Sequence, residues 1–346
     1  MTAASKTNSD KQIAAWLLTC CALIFVMVVL GGVTRLTRSG LSIVEWDPIM
    51  GAIPPLTQTQ WEQTFDKYKQ TPEYQKINYG MSLENFKGIF YVEWAHRLLG
   101  RLIGFVFLLP FLYFLIRKRI TKALTPKLFT MFVLGGLQGA LGWYMVKSGL
   151  VDMPRVSAYR LTAHLALAVV IYAYILWVAL GLMTPRVHFS TALQPLRRFS
   201  AGVTGLIFVM ILSGGFVAGT HAGFAFSTFP LMNGHFFPEG MYTMEPLWAD
   251  PFENIATVQF NHRLLAYVLL LVIPAFWLTA RKLALPRQTQ TPIHLLLAWL
   301  AVQVTLGITT LIYVVPVPLA AAHQGGALVL LTLALYIHHT LRTRPA

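Results

Sequence analysis

Four histidines lie a few residues inside the start of apolar segments of the sequence: His96, His164, His262 and His323. An imidazole in hydrocarbon loses its hydration, which is costly unless the ring is bound. Histidine is also a frequent axial ligand of haem iron. Because the four residues occur as two pairs along the chain, the sequence predicts two buried metal or haem sites.

The composition indicates where such sites would lie. Of the 346 residues, 56% are hydrophobic and 12% are charged, and the mean hydropathy is +0.59. This is typical of an all-α integral membrane protein rather than a soluble domain. Segments of about 20 apolar residues are long enough to span a bilayer. Eight such segments are predicted, at residues 13–33, 88–116, 127–147, 157–182, 199–220, 255–280, 292–314 and 317–338.

The basic residues predict an orientation. The net charge of +14 comes mainly from short basic clusters between the apolar segments. Membrane lipid explains these clusters better than nucleic acid, which we do not expect as a partner. The positive-inside rule places both termini in the cytoplasm and the loops 34–87 and 221–254 outside. With no cleavable signal or Arg-rich presequence apparent, we expect a bacterial cytoplasmic (inner) membrane, with the histidine sites toward its periplasmic side.

The sequence also repeats. Leu23–Met27 followed by Gly31-Gly32 recurs 183 residues later as Leu206–Met210 followed by Gly214-Gly215. Three more matches follow in the same order: His96–Leu99 with His262–Leu265, Gln138-x-x-Leu141-Gly142 with Gln303-x-x-Leu306-Gly307, and His164 with His323. Four spans return the chain to its starting side, so both copies have the same topology. We predict two tandem four-helix bundles, residues 1–190 and 191–346, related by a pseudo-twofold axis along the membrane normal.

The repeat favours haem over a metal ion. In an up-down-up-down bundle, the second and fourth helices are diagonal neighbours that run in the same direction. Each histidine pair lies on those two helices at similar depth, so a flat macrocycle fits between the rings. Zinc and copper sites usually have three or four protein ligands. The alternative, histidines that only hydrogen-bond neighbouring helices, is disfavoured by their placement on matching helices.

The two halves differ at one charged position. Glu93 lies three residues before His96, and Gln259 takes the matching place before His262. Residues three apart share a helix face. Glu93 is either an ion-pair partner of Arg97 or Arg101, or an acid, base or charge stabiliser beside a reacting macrocycle. The second interpretation predicts a reactive site in residues 1–190 and a retained haem in residues 191–346.

Arginines near the outer helix ends are candidate contacts for haem propionates, because guanidinium groups pair well with carboxylates. The candidates are Arg35, Arg38, Arg97, Arg155, Arg160 and Arg263. His221 aligns with Arg38 through the 183-residue offset and is a further candidate. Gly135, Gly139 and Gly142 form a small-residue face, for which close helix packing is the simpler interpretation.

Several motifs resemble the haem A synthase family. They are the run from Gly31 to Ser42 with Glu45-Trp46 and Pro48 after it, Glu93-x-x-His96-Arg97, and Thr228–Met232. The resemblance covers about residues 12–340. It implies oxidation of a ring methyl of haem O to the formyl group of haem A. It also implies that His96 and His164 bind the substrate haem, that Glu93 is catalytic, and that His262 and His323 ligate the iron of a haem b cofactor.

The resemblance implies partners as well. Haem O synthase, a farnesyltransferase, is the expected substrate donor, and cytochrome oxidase assembly the expected acceptor of the product. The electron partner is unidentified, and a homo-oligomer stays open. Some family members carry a cysteine pair in the first outer loop, but the only cysteines here are Cys20 and Cys21, inside the first span. A thiol role of that loop is therefore unsupported.

Two other functions are alternatives for a membrane protein with two histidine pairs. A dihaem b-type cytochrome would transfer electrons across the bilayer through haems at two depths, but all four histidines are predicted near one face. A haem transporter would not require Glu93 to differ from Gln259.

Overall fold

Long apolar helices make up most of the chain in a computed structural model that describes residues 3–45, 50–149, 156–183 and 193–342. The described residues form α-helices and short 3-10 turns, with no β-strand among them. The eight long helices are α1 (Ala3–Leu36), α4 (Leu83–Ile116), α5 (Thr125–Gly149), α6 (Ala158–Met183), α7 (Gln194–Thr220), α9 (Ile255–Ala280), α10 (Arg287–Ile312) and α11 (Val317–Thr340). Three short helices are α2 (Gln58–Lys69), α3 (Pro72–Lys76) and α8 (Asp250–Glu253).

The prediction of eight spans is confirmed. All eight long helices have the length and hydropathy needed to cross a membrane. Most ends differ from the predicted ones by a few residues. The helix α4 begins five residues earlier than expected, because the Ser82 side chain caps it by accepting a hydrogen bond from the backbone N–H of Asn85. The predicted turn at Pro316 is also present, and α11 begins directly after it.

Two compact units can be distinguished. One is Ala22–Ala168, and the other combines Met1–Cys21 with Val169–Ala346. The helices α1 and α6 each contribute one end to each unit. The proposed division at residue 190 lies outside the described residues, so the domains 1–190 and 191–346 and their pseudo-twofold axis stay a prediction.

The larger unit contains a closed four-helix arrangement. Within it, α7 packs against α9, α9 against α10, α10 against α11, and α11 against α7. The helices α9 and α11 therefore lie across the diagonal, as the up-down-up-down topology predicts. These are the two helices that carry His262 and His323.

The connection between α1 and α4 (residues 37–82) is folded where it is described. Thr57 and Gln60 form a capping box at the start of α2, and Thr71 caps α3 with Pro72 in its first turn. An aromatic cluster of Trp61, Tyr68, Phe86 and Phe90 packs this connection against the first turns of α4. The sequence predicts only a loop here, and the helices α2 and α3 are found in the structure alone.

Candidate functional site: two histidine pairs

His262 and His323 face each other across the diagonal of the larger unit. Their ring centroids are 6.5 Å apart and their ring planes are inclined by 77°. Two imidazoles that bind one metal from opposite sides, with metal–nitrogen bonds of about 2.0–2.1 Å, have centroids about 6 Å apart. The observed separation therefore fits a pair of axial ligands to one haem iron.

Neighbouring helices hold both rings of this pair. The Ser213 hydroxyl on α7 lies 2.9 Å from Nδ1 of His262. On α10, the Gln303 amide nitrogen donates a hydrogen bond to the backbone carbonyl of His323 at 2.9 Å and lies 3.2 Å from Nδ1 of its ring. Polar side chains of this kind orient a ligating histidine.

The pair in the other unit is His96 on α4 and His164 on α6. Gln138 on α5 donates to the backbone carbonyl of His164 at 3.0 Å, as Gln303 does for His323. Nδ1 of His96 and Nδ1 of His164 are buried, and neither has a hydrogen-bond partner within the described chain. Buried polar atoms are nearly always bonded, so unsatisfied ring nitrogens indicate a place where a ligand binds.

Each pair supplies two protein donors. Among the residues that the structure describes, no group of three or more His, Cys, Asp or Glu side chains could hold a metal ion. Two imidazoles are the donor set of a six-coordinate haem iron, whose other four ligands come from the porphyrin. The residues present therefore fit haem.

A glycine of a neighbouring helix lies against each histidine. A Cβ atom added at Gly142 would lie 2.9 Å from Cε1 of His164, and one added at Gly307 would lie 2.8 Å from Cε1 of His323. A Cβ atom added at Gly31 would lie 3.1 Å from Cε1 of His96, and one added at Gly214 would lie 3.4 Å from Cε1 of His262. These glycines occupy repeated positions, so the space for each ring is part of the repeat.

This finding corrects the interpretation of the glycines on α5. Nothing in the described chain lies within 4 Å of a Cβ added at Gly135 or Gly139, so these two glycines make no close helix contact with the described residues of the same chain. Gly142 does make a close contact, but with the His164 ring rather than with a helix backbone. Its place in the repeated motif Gln-x-x-Leu-Gly was the signal that could have identified it.

Glu93 anchors the α1–α4 connection to α4. Its side chain is 2–3% exposed. Oε2 accepts hydrogen bonds from the backbone and hydroxyl of Ser42, both at 2.7 Å, and from the backbone of Ile43 at 2.9 Å. Oε1 accepts two from the Arg97 guanidinium, at 3.0 and 2.6 Å. The ion pair weighed in the sequence analysis therefore exists with Arg97.

The second copy has the same anchor with different chemistry. Gln259 and Arg263 both donate to the backbone carbonyl of Phe226 at 3.0 Å, and Arg97 donates to the carbonyl of Ile43 at 2.9 Å. Ile43 and Phe226 are 183 residues apart, the offset of the first repeat motif. The arginine contact to this carbonyl is therefore the same in both copies. The residue three before the histidine differs, because Glu93 accepts bonds from Ser42 and Ile43 whereas Gln259 donates one to the carbonyl of Phe226.

The candidate arginines have different surroundings. Arg97 donates to the carbonyls of Ile43 and Glu45, and Arg263 to those of Phe226 and Thr228. The Arg160 guanidinium lies 4.7 Å from the ring centroid of Tyr144. Arg155 lies outside the described residues.

Arg38 and His221 also share a backbone conformation. Both are in the left-handed region, with φ of 52° and 60°. Non-glycine residues seldom adopt it. The shared conformation supports the predicted alignment of these two positions.

Glu73 on α3 is a buried carboxyl group that none of the sequence motifs identifies. This carboxyl group is 4% exposed. Burial raises its pKa to about 6, against the opposing effect of the charges on Arg38 and Arg35. It therefore belongs to the surroundings of two arginines that were predicted to bind propionates.

A polytopic helical membrane protein with two histidine pairs, each set between helices of a repeated unit, is the class that these features define. The chain belongs to the COX15-CtaA family of cytochrome oxidase assembly proteins, whose profile matches residues 14–335.

Named relatives are similar over nearly the whole chain. A protein named heme A synthase from Nitrosospira multiformis is 57% identical, covering 96% of this chain and 94% of the relative. Heme A synthase COX15 from Arabidopsis thaliana is 46% identical, covering 98% and 76% respectively. The Bos taurus protein of the same name is 43% identical, covering 97% and 84%.

Proposed function

We propose that this chain is a haem A synthase, an oxidoreductase that converts one ring methyl of haem O to the formyl group of haem A. The observation that carries the proposal is near-full-length similarity to proteins of that name, in a chain whose repeated helices hold two histidine pairs. The product serves the assembly of cytochrome oxidase, in keeping with the family.

We assign the two sites different roles. His96 and His164 would bind the substrate haem O, and His262 and His323 would hold the iron of a resident haem b. A bound haem b supplies one-electron redox chemistry. The 6.5 Å separation of the His262 and His323 centroids supports the second assignment. The buried, unbonded Nδ1 atoms of His96 and His164 support the first.

Glu93 supplies fixed negative charge beside the substrate. Five hydrogen bonds hold its carboxylate in one orientation. A preoriented charge needs no reorganisation when positive charge develops on the reacting carbon. For Glu93 to act as a base, Ser42, Ile43 or Arg97 would first have to release one of its oxygens. We therefore favour charge stabilisation over proton abstraction.

The contacts of the guanidinium groups separate arginines that anchor the backbone from those that remain candidates for binding haem propionates. Arg97 and Arg263 hold backbone carbonyls, so we assign both to anchoring. The candidate propionate contacts that remain are Arg35, Arg38, Arg155 and Arg160.

The setting follows from the charges between the spans. We place the protein in the bacterial cytoplasmic membrane, with both termini in the cytoplasm and the haem sites toward the periplasm. Haem O is insoluble in water, so we expect delivery from the farnesyltransferase that makes it. An unidentified electron partner completes the reaction.

The test compares Glu93→Gln with Ser42→Ala in cells supplied with haem O. Removal of one preorganised polar group from an active site typically lowers turnover by about 10²–10³-fold, so the Glu93 variant is expected to make little haem A. Ser42→Ala removes one hydrogen bond but keeps the charge, and is expected to retain most activity. Wild-type haem A output from the Glu93 variant would remove Glu93 from the mechanism.

Pigment extraction from the purified protein tests the function itself. Haem O or haem A beside haem b is expected, and His262→Ala is expected to lose the haem b. Two equivalents of haem b alone would instead identify a dihaem cytochrome.

A further inference from the structure

We propose that Ser213 is the positioning residue that makes the His262–His323 pair retain its haem, and that Leu30 leaves the His96–His164 pair able to release one. This inference rests on the proposed function, because it assumes a resident haem at one pair and a substrate at the other. It concerns a polar contact that α7 makes to the ring of His262 and for which the matching residue on α1 has no polar side chain.

The two histidine pairs differ in the residue that precedes the glycine beside one of their rings. Ser213 precedes Gly214, the glycine beside His262, and its hydroxyl lies 2.9 Å from Nδ1 of that ring. At the 183-residue offset, Leu30 precedes Gly31, the glycine beside His96. Leucine has no hydrogen-bonding group, and Nδ1 of His96 is buried without a hydrogen-bond partner in the described residues.

The bond of Ser213 also differs from those of the threonine hydroxyls on its helix, while Ser200 combines a bond to the carbonyl of Arg197 with a contact of 2.8 Å to Nδ1 of His338. Serine and threonine inside helices usually bond a carbonyl of their own preceding turn. Thr204 and Thr220 on α7 do so, to the carbonyls of Ser200 and Phe216. The bond of Ser213 instead crosses to α9 and ends on a ring nitrogen.

A bond at Nδ1 changes how the other ring nitrogen binds iron. When the Ser213 oxygen accepts the proton of Nδ1, the imidazole is fixed in the tautomer whose Nε2 lone pair is available to the metal. The bond also increases the basicity of the ligand, and loss of such a partner typically weakens metal binding about 10–100-fold. A cofactor that stays bound needs this support, whereas a substrate that must leave as product does not.

The test uses purified protein and an excess of apomyoglobin, which traps released haem. Ser213→Ala is expected to lose haem b at least about tenfold faster than wild type. It is also expected to have a higher midpoint potential and an altered low-spin ferric EPR signal, because a less basic ligand stabilises ferric iron less. Ser213→Thr keeps the hydroxyl and is expected to behave as wild type. Thr220→Ala removes a hydroxyl from the same helix and is the matched control.

The reciprocal variant tests the other half of the proposal. Leu30→Ser places a hydroxyl beside His96 and is expected to slow the transfer of haem A to apomyoglobin. Unchanged transfer from Leu30→Ser would overturn the explanation of release.

The outcomes separate this inference from the proposed function. If Ser213→Ala matches wild type in haem loss, potential and EPR signal, the role of Ser213 is overturned while the haem b assignment stands. If the wild-type protein contains no haem b that His262→Ala removes, the site assignment itself fails.

Discussion

Each of the four histidine rings lies against a glycine, and this close contact limits which residue can occupy the glycine position. The rings of His164 and His323 occupy space that a methyl group at Gly142 or Gly307 would enter. Interiors are packed closely enough that one added carbon displaces its neighbours. The position of each imidazole therefore depends on a glycine, which has no functional group of its own.

Gly307→Ala is expected to lower the amount of the proposed haem b that is bound per protein, because the added Cβ would lie 2.8 Å from Cε1 of His323 and displace the ring. Absorbance of the purified protein measures this ratio. The control is Gly205→Ala on α7, where nothing in the described chain lies within 4 Å of the added atom. Alanine is favoured over glycine in a helix by about 0.5–1 kcal/mol, so the control should fold at least as well. Full haem b occupancy in Gly307→Ala would show that the ring moves aside without loss of binding.

Sequence reasoning identified the histidines, the arginines and the Glu93–Gln259 difference, because residue type and offset carry that information. It could not reveal that Glu93 binds Ser42 and Ile43, since these contacts join residues about fifty positions apart. Nor could it show that Arg97 and Arg263 hold backbone carbonyls. Such pairings exist only once the chain after the first helix of each copy has folded back.

At the scale of elements, the apolar spans were predictable and the α1–α4 connection was not. Span length and hydropathy follow from the bilayer, which acts on every residue of a helix in the same way. The helices α2 and α3 are short and are held by the aromatic cluster around Trp61 and Phe86. Their capping residues, Thr57 and Thr71, were the signals in the sequence.

Glu73 gives this connection a pH-dependent stability. Its pKa in the folded protein is raised to about 6, above the usual value near 4.5, so the folded state binds the proton more tightly than the unfolded state. The contribution of Glu73 to stability is therefore greatest below pH of about 4.5 and is lost as the pH rises through about 6.

Glu73→Gln is accordingly expected to raise the unfolding temperature relative to wild type at pH 7–8. The gain should shrink as the pH falls from about 6 to about 4.5. Thermal unfolding in detergent, followed by tryptophan fluorescence, measures the difference at each pH. Glu62→Gln, at an exposed position on α2, is the control and should show no such trend. A Glu73→Gln difference that is constant across this range would contradict the pKa assignment.

At the scale of the whole molecule, the arginine contact to the chain after the first helix recurs in both copies, and the closed arrangement of α7, α9, α10 and α11 is found in the larger unit. Two tandem four-helix bundles stay a prediction. The sequence offsets predicted the duplication, because insertions between matching helices change an offset without disturbing the order of motifs. The offsets do not predict how the two copies are arranged relative to each other, because they record only the order and spacing of the motifs.

The proposed orientation can be tested with thiol labels, because the native cysteines, Cys20 and Cys21, are both buried. Tyr79→Cys, at a position 83% exposed in the α1–α4 connection, is expected to react with a membrane-impermeant maleimide in intact spheroplasts. Lys122→Cys, at an exposed position between α4 and α5, should react only after the membrane is opened. The reverse labelling pattern would show that the protein has the opposite orientation.

The matched anchors at Ile43 and Phe226 bear on the history of the chain. A contact present in both copies is most simply inherited from a single-copy ancestor, so the role of the arginine at positions 97 and 263 in holding this carbonyl is older than the difference between Glu93 and Gln259. Glutamate and glutamine codons differ by a single nucleotide. A single nucleotide change at this position is therefore enough to give two such copies unequal charge, without a new fold or a new binding cleft.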